Sequence, residues 1–405
     1  MHRVLRRCFT AALLRGRHCS SATNHHHYQR QSNGGAVIPL TSQHPSLLQL
    51  CKAGRLDQAL HLLLQIPDPL PPHHDHFCIA FLRSCQNEKD LLHTTLLLTH
   101  LSQRTKYELS GKLGDYFVIT LVKCGGIQEA LRLFLRLSSR SVYSWTAVIS
   151  GFTHFGYGWK AIGMLECMQK DGFQPNHFTL VSLLKACGSI GCLQEGRKIH
   201  ALVRNKGLDS DIFISTSLIS MYSKCGSLRE SEDVFNELLD CNVVSWNAML
   251  SAYLQHNQAE KVLELYRKLA DEGMEPNDVT FMVAIQSCGI LASKEEVILM
   301  IGQVMKPVSI SIGHALHADA KKKGFSTDVG NALVNLYGKC LSISEAHNVF
   351  NSLCSHNVAS WNAMISTYVE FEQVDSALCL FNHMLKEGVS PDVWTFVITL
   401  QACCI

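Results

Sequence analysis

The chain has 405 residues, 47% apolar and 17% charged, with a formal charge of +2. It can bury a large core and is not the composition of a disordered chain. No apolar run reaches the roughly 18–20 residues of a membrane span, and the most apolar stretch, Val297 to Ile312, contains Lys306 and Pro307.

Seventeen cysteines, odd in number, scattered and without a C-x-x-C pair, do not form a secreted disulfide framework and fit reduced, mostly buried thiols in an intracellular compartment. The first 56 residues hold eight basic groups (Arg3, Arg6, Arg7, Arg15, Arg17, Arg30, Lys52, Arg55) and no acidic one. Val4, Leu5, Phe9, Leu13 and Leu14 interleave with the arginines; Ser20, Ser21, Thr23 and His25–His27 follow. An Arg-rich, acid-free, amphipathic start is the composition of an organelle transit peptide, expected over residues 1–40. Early arginines favour a mitochondrion over a chloroplast. Taking eight positive groups from +2 leaves −6 on the remainder. If that remainder binds a polyanion, discrimination comes from placed hydrogen bonds and stacking, with only local Lys and Arg help.

Three segments repeat: Val142-Tyr-Ser-Trp-Thr, Val243-Val-Ser-Trp-Asn and Val358-Ala-Ser-Trp-Asn, whose tryptophans are separated by 101 and 115 residues. Lys123-Cys124-Gly125, Lys224-Cys225-Gly226 and Lys339-Cys340-Leu341 share both spacings. Such periodicity marks a repeat array. Residues 41–110 read as degenerate repeats, followed by units at 111–141, 142–176, 177–211, 212–242, 243–277, 278–328, 329–357 and 358–392, and an incomplete unit at 393–405. Each reads as two helices. In 142–176, Trp145, Val148, Ile149 and Phe152 form one stripe, Gly156 and Gly158 break it, and Ala161, Ile162, Leu165 and Met168 form the second, which stops at Asp171-Gly172. A hairpin of this kind cannot bury both faces alone, so stacked neighbours must share a core, and the fold class is an all-α solenoid of tandem helix-turn-helix repeats. Unit 278–328 exceeds the usual 35 residues, and the next is two short. The surplus lies between Glu296 and Gly313, as a looped-out insertion or a translated intron.

The alternation of 35, 35 and 31 residues, with phrases such as Ser245-Trp-Asn-Ala-Met, Met221-Tyr-Ser-Lys-Cys-Gly and Gly273-Met-Glu-Pro-Asn, resembles the plant-type pentatricopeptide repeat family in its subclass of alternating standard, long and short motifs. The resemblance covers about residues 41–405. It implies a right-handed superhelix that binds single-stranded organellar RNA, one base per repeat, the base being chosen by the fifth and last residues of a motif. Carried onto this chain, the pairs are Thr146 with Asn176, Thr216 with Asn242, Asn247 with Asn277, Asn331 with Asn357, and Asn362 with Asp392. Tyr143, Phe213 and Val244, at position two, would stack on bases. The long units offer Val181, Met282 and Val397 at the fifth position, which read no polar edge. From the unit at 142 the implied site, 5′ to 3′, is A, any, A, pyrimidine, any, pyrimidine, U. Asn and Asp suit a Watson–Crick edge on their own chemistry, although the same residues also cap helices and make turns.

Some such proteins act in C-to-U editing through a zinc deaminase domain. This chain has no H-x-E and no C-x-x-C, so it is expected to be no enzyme, to need no cofactor or metal, and to act as a guide beside a deaminase from a partner or from further sequence. No membrane or small-molecule substrate is expected. Cys124, Cys225 and Cys340 fall in separate repeats and read as core residues; His25–His27 and His73, His74 and His76 read as leader and linker. A protein-binding scaffold of the tetratricopeptide kind would show a uniform 34-residue period, which is lacking. A truncated, non-functional gene fragment is the other alternative.

Overall fold

A computed structural model describes residues 44–66, 74–103, 109, 111–238, 241–300 and 303–404. The expected leader, with His25–His27, lies outside them, as does His73. The chain divides into units 1–47 and 48–405, and the first reaches the described residues only in the opening turn of α1. After α1 (His44–Lys52) and α2 (Leu56–Leu64), helices pair into hairpins: α3 (His74–Glu88) with α4 (Leu91–Gln103), α5 (Gly111–Lys123) with α6 (Ile127–Arg136), α7 (Val142–His154) with α8 (Gly158–Lys170), and α9 (His177–Ile190) with α10 (Leu193–Asn205). Next come α11 (Ile212–Lys224) with α12 (Leu228–Asn236), α13 (Val243–Gln255) with α14 (Ala259–Asp271), α15 (Asp278–Lys294) with α16 (Pro307–Lys323), α17 (Thr327–Lys339) with α18 (Ile343–Ser352), α19 (Val358–Glu370) with α20 (Val374–Lys386), and α21 (Val393–Ala402).

From α3 onward each odd helix packs on the next odd helix, and each even helix from α4 on packs against its own partner and the following odd helix. This is the two-layer stacking of a helical solenoid, in which each hairpin supplies the surface that buries its neighbour. The tryptophans mark the seams. Trp145, Trp246 and Trp361 are buried and meet Phe134, Phe235 and Phe350 of the preceding even helix edge to face, with ring centroids 4.7, 5.1 and 5.2 Å apart. Aromatic pairs prefer that geometry. Successive even helices are joined by solvent-exposed ion pairs, Arg197 with Glu230, Arg204 with Glu237 and Lys261 with Glu232.

A second seam joins long units to short ones. His200 Nδ1 lies 2.8 Å from Tyr222 Oη, and His317 Nδ1 lies 3.1 Å from Tyr337 Oη. Burial lowers the basicity of both imidazoles and raises both phenols, Tyr222 to about 12. Glycine is needed there for close approach: a Cβ on Gly196 would sit 2.3 Å from Met221 Sδ. The repeated cysteines are core thiols. Cys340 is buried and Cys124 and Cys225 half-buried, and burial pushes Cys85, Cys187 and Cys288 up to about 12, where the reactive thiolate is scarce.

Three expectations need correction. Gly158 does not break a helix; it opens α8, where a Cβ would meet Ile190 at 2.6 Å, and Gly156, at φ +77°, makes the turn alone. The helix holding Asn331 starts at Thr327, so 327–357 has the 31 residues of the other short units and the surplus belongs wholly to the long unit before it. That surplus is not one loop. Strands β1 (Ile298–Met300) and β2 (Gln303–Met305) form an antiparallel hairpin, Ile298 opposite Met305, the exception to an otherwise helical fold among the described residues. Residues 307–312 then belong to α16. Pro307 suits a helix start because its missing N–H is not needed there. The Glu295 carboxylate accepts from Val308 N at 2.8 Å and Ser309 N at 2.9 Å, and Ser309 is buried.

Replacing Leu299–Val304 by Asn-Gly, a two-residue hairpin turn, should change stability by less than about 0.5 kcal/mol. Removing 297–312 should cost about 1–3 kcal/mol, because the Glu295 cap and buried Ser309 are lost. Urea midpoints in the reverse order would place the whole insertion outside the packed structure. The turn after each short-unit first helix provides another test. Gly125 and Gly226 sit there at φ +92° and +82°, but Leu341 is held at +63°, a region costly for residues with a Cβ. Leu341→Gly should stabilise by about 1 kcal/mol in the same measurement; a lower midpoint would mean that the leucine side chain outweighs the strain.

Candidate nucleic-acid interface

From α7 on, the last residue of the preceding unit caps every odd helix except α17. The first N–H groups of a helix lack internal acceptors, and a side-chain oxygen just before the helix supplies one. Asn176 accepts from Thr179 N; Asn242 from Val244 N and Ser245 N; Asn277 from Thr280 N; Asn357 from Ser360 N; Asp392 from Thr395 N. Ser141 and Asp211 cap α7 and α11 in the same way. The capping role is therefore real for all five last-position residues.

Side-by-side packing of odd helices brings each cap beside the fifth residue of the helix before it. Asn247 Nδ2 donates to Asn277 Oδ1 at 3.0 Å, Asn331 Nδ2 to Asn357 Oδ1 at 3.3 Å, and Asn362 Nδ2 to Asp392 Oδ1 at 3.2 Å. Thr146 reaches Asn176 through a relay: its Oγ1 lies 2.7 Å from Thr179 Oγ1, which donates to Asn176 Oδ1 at 2.9 Å. Thr216 is the exception; its hydroxyl is buried and bonds nothing among the described residues. Asn247, Asn331 and Asn362 are 7–8% exposed, while Asn277, Asn357 and Asp392 stand open to solvent. The hydrogen bond from the Thr395 N–H, with a further one from Asn362, holds the Asp392 carboxyl below its usual range, so it presents a charge at neutral pH.

Two residues beyond each cap, at the second position of the helix, an apolar side chain faces solvent. Tyr143, Phe213 and Val244 are 69%, 74% and 50% exposed. Phe178, Val279 and Trp394 occupy the same position in the long units and are also exposed; the shared register is the signal that would have found them. Asp328 and Ala359 interrupt the line. A further pair also went unread: Ser141 Oγ donates to Asp115 Oδ2 at 2.6 Å, and Asp115 is the fifth residue of α5. The apolar fifth residues Val181 and Met282 are half-buried and Val397 is exposed.

The odd helices carry few charges. α7 and α13 have none, and α11 has only Lys224. Exposed Lys123, Lys185, Lys224 and Lys339 lie toward the far ends of their helices. A groove of about 750 Å³ along α13, α15, α17 and α19 is lined by Met282, Asp328, Asn331, Asn335, Lys339 and Glu370 among others. Exposed flat side chains beside amide and carboxylate edges can stack on unpaired bases and bond their edges. Among the described residues no cluster of His, Cys, Asp and Glu could hold a metal ion.

Residues 143–173 and 213–243 match the PPR repeat, and 241–289 and 356–405 the PPR repeat family. A chloroplastic pentatricopeptide repeat-containing protein of Arabidopsis thaliana is 30% identical over 365 residues, covering 89% of this chain and 42% of its own length. The chloroplastic protein CRR2 of that plant is 29% identical over 402 residues, covering 96% and 57%. A mitochondrial relative, again from Arabidopsis thaliana, is 32% identical over 300 residues, covering 73% and 41%. The chain thus spans about half the length of the curated relatives it matches. The crystal structure of the maize pentatricopeptide repeat protein PPR10 is similar over 90% of this chain and 63% of its own, at 16% identity and a TM-score of 0.44; that protein has also been crystallised with an 18-nt psaJ RNA element. The chain carries pentatricopeptide repeats and is homologous to the pentatricopeptide repeat-containing proteins of plants.

Proposed function

We propose that this chain binds single-stranded RNA in a plant organelle, one base per standard or short unit. One observation carries the reading. A polar fifth residue and the cap of the next helix are hydrogen-bonded, directly or through a threonine, in the units at 142, 243, 327 and 358, with an exposed side chain at position two alongside in several units. Stacking on an aromatic platform is worth about 1–3 kcal/mol per base, and the exposed lysines offer partners for phosphates. The alternating standard, long and short motifs supply the base assignment A, any, A, pyrimidine, any, pyrimidine, U from the unit at 142. The chain then acts as a guide for RNA processing or C-to-U editing, with the deaminase supplied by a partner or by sequence beyond it.

The sharpest test is Asn362→Thr with Asp392 in place. Thr146 beside Thr179 is the pattern for a threonine at this position, so the variant keeps a partner in Thr395. Preference at that one base should move from uracil toward guanine, by about 5–150-fold if a matched contact is worth 1–3 kcal/mol. Substitutions at Val181 and Met282 should leave base preference almost unchanged. If Asn362→Thr weakens every RNA equally or changes none in a binding titration, these side chains are caps and nothing more.

Localisation is proposed to be mitochondrial, on the acid-free, Arg-rich start. Residues 1–40 fused to a fluorescent protein should carry it into mitochondria. A plastid signal would reassign the organelle, and a diffuse cytosolic one would remove the leader.

A further inference from the structure

The polar fifth residues fall into two sets according to the third residue of the helix that follows. Where that residue is threonine, its hydroxyl lies between its own cap, at 2.9, 3.0 and 2.8 Å from Asn176, Asn277 and Asp392 Oδ1, and the preceding fifth residue. Thr179, Thr280 and Thr395 lie 2.7 Å from Thr146 Oγ1, Asn247 Oδ1 and Asn362 Oδ1. Where it is serine, the hydroxyl stays with its own cap. Ser144 and Ser245 donate to the carbonyls of Ser141 and Asn242 at 3.0 and 2.9 Å, and Ser360 donates to Asn357 Oδ1 at 3.1 Å. Each fifth residue before a serine keeps a buried oxygen with no partner among the described residues: Asp115 Oδ1, Thr216 Oγ1 and Asn331 Oδ1. The division holds at every junction with a polar fifth residue. Behind the apolar Val181 and Met282 the third residues are Ile214 and Val329.

We infer that the third residue of the following first helix sets how strictly the preceding unit discriminates bases, with Thr179, Thr280 and Thr395 as positioning residues for the fifth side chain. The inference rests on the RNA-binding reading. Asn247 shows the device. The Thr280 N–H donates to Asn277 Oδ1 at 3.1 Å, which fixes that amide; Asn277 Oδ1 accepts from Asn247 Nδ2; and the Thr280 hydroxyl donates to Asn247 Oδ1. The hydroxyl has one proton and two oxygens in reach, Asn247 Oδ1 at 2.7 Å and Asn277 Oδ1 at 3.0 Å; Asn277 Oδ1 already accepts from the Thr280 N–H and from Asn247 Nδ2, so the proton goes to the nearer Asn247. Turning the Asn247 amide over would set oxygen against oxygen. One N–H and one lone pair are left for a base, in a fixed order. Asn331 has a single bond to its cap, at the long end for N–H···O, and a bare carbonyl. Such an amide can turn to meet a donor or an acceptor. Units at 142, 243 and 358 therefore discriminate sharply, and units at 111, 212 and 327 tolerate several bases, because a contact group specifies only as well as its supporting shell holds it.

The test uses the full chain and single-stranded RNAs of the proposed sequence, with each of the four bases placed in turn opposite the units at 243 and 327. Thr280→Ser keeps a hydroxyl for the cap of its own helix and should shrink the spread of Kd opposite the unit at 243 by about 3–10-fold, the worth of one hydrogen bond. Thr280→Val, which has no hydroxyl, should do at least as much should serine still reach Asn247. Ser360→Thr should widen the spread opposite the unit at 327 by a similar factor. Both changes should leave preferences at other positions alone. Equal weakening for all four bases, or no change in spread with either variant at 280, would make these threonines structural only and overturn the inference. A second readout needs no RNA: Ser360→Thr should raise the melting temperature with Asn331 present and not with Asn331→Ala, since the gain comes from satisfying its carbonyl. Equal shifts in both backgrounds would overturn the lock itself. Failure to bind any RNA would overturn the RNA reading and the discrimination claim together, while the melting pair would still decide whether the lock exists.

Discussion

Each first helix of the array begins with N–H groups that its own carbonyls cannot serve. In a stack of hairpins that end abuts the preceding first helix, so the acceptor comes from the residue that ends the previous unit. Ser141, Asn176, Asp211, Asn242, Asn277, Asn357 and Asp392 all do this. Because odd helices run side by side, the cap is delivered to the fifth residue of the helix before it. One oxygen, such as Asn277 Oδ1, then holds the start of α15 and orients Asn247. Helix capping and side-chain placement are a single network at each junction. A cap substitution must disturb both, and substitutions at the fifth residue are the cleaner probes of recognition.

Periodicity made the solenoid legible, because the helical stripes and the shared spacing of Trp145, Trp246 and Trp361 report a core that recurs. Four of the five polar pairs were legible as neighbours in the same way, since residues at one register in tandem units sit at one place in the fold. What went unread depended on contacts between units. Gly158 reads as a breaker in isolation, and only its closeness to Ile190 in the next hairpin explains it. The start of α16 at Pro307 depends on a carboxylate twelve residues earlier, Glu295, which no local pattern announces. Asp115 with Ser141 lacked the Asn signal of the other pairs. Phe178, Val279 and Trp394 were passed over because their units looked unable to read a base, although exposure at position two does not depend on the fifth residue.

The charge distribution follows from the same two layers. Exposed ion pairs link the even helices, where such pairs add about 0–1 kcal/mol each, while α7 and α13 present an uncharged surface. A chain that is net negative beyond its first 56 residues gains little from counterion release. On the RNA-binding reading, contacts with phosphates are local, at residues such as Lys185, Lys224 and Lys339, and selectivity comes from oriented dipoles. Oriented dipoles require a rigid frame, which the edge-to-face Trp–Phe seams and the close-approach glycines supply.

The unsatisfied oxygens separate recognition from stability. A buried polar atom without a partner costs about 1–3 kcal/mol, and this array keeps one at each of Asp115, Thr216 and Asn331. Neighbouring serines and threonines at the same depth, Ser144, Ser245, Thr280 and Ser360, are fully bonded, so the packing can satisfy polar groups there. The same fold also accommodates Val181 and Met282 at the equivalent position, where no polar atom needs a partner. Stability alone would favour that apolar solution at every unit. On the proposed RNA-binding reading, the polar fifth residues are kept in place of the apolar solution for the hydrogen-bonding capacity they retain at the edge of a groove flanked by exposed aromatic and aliphatic side chains.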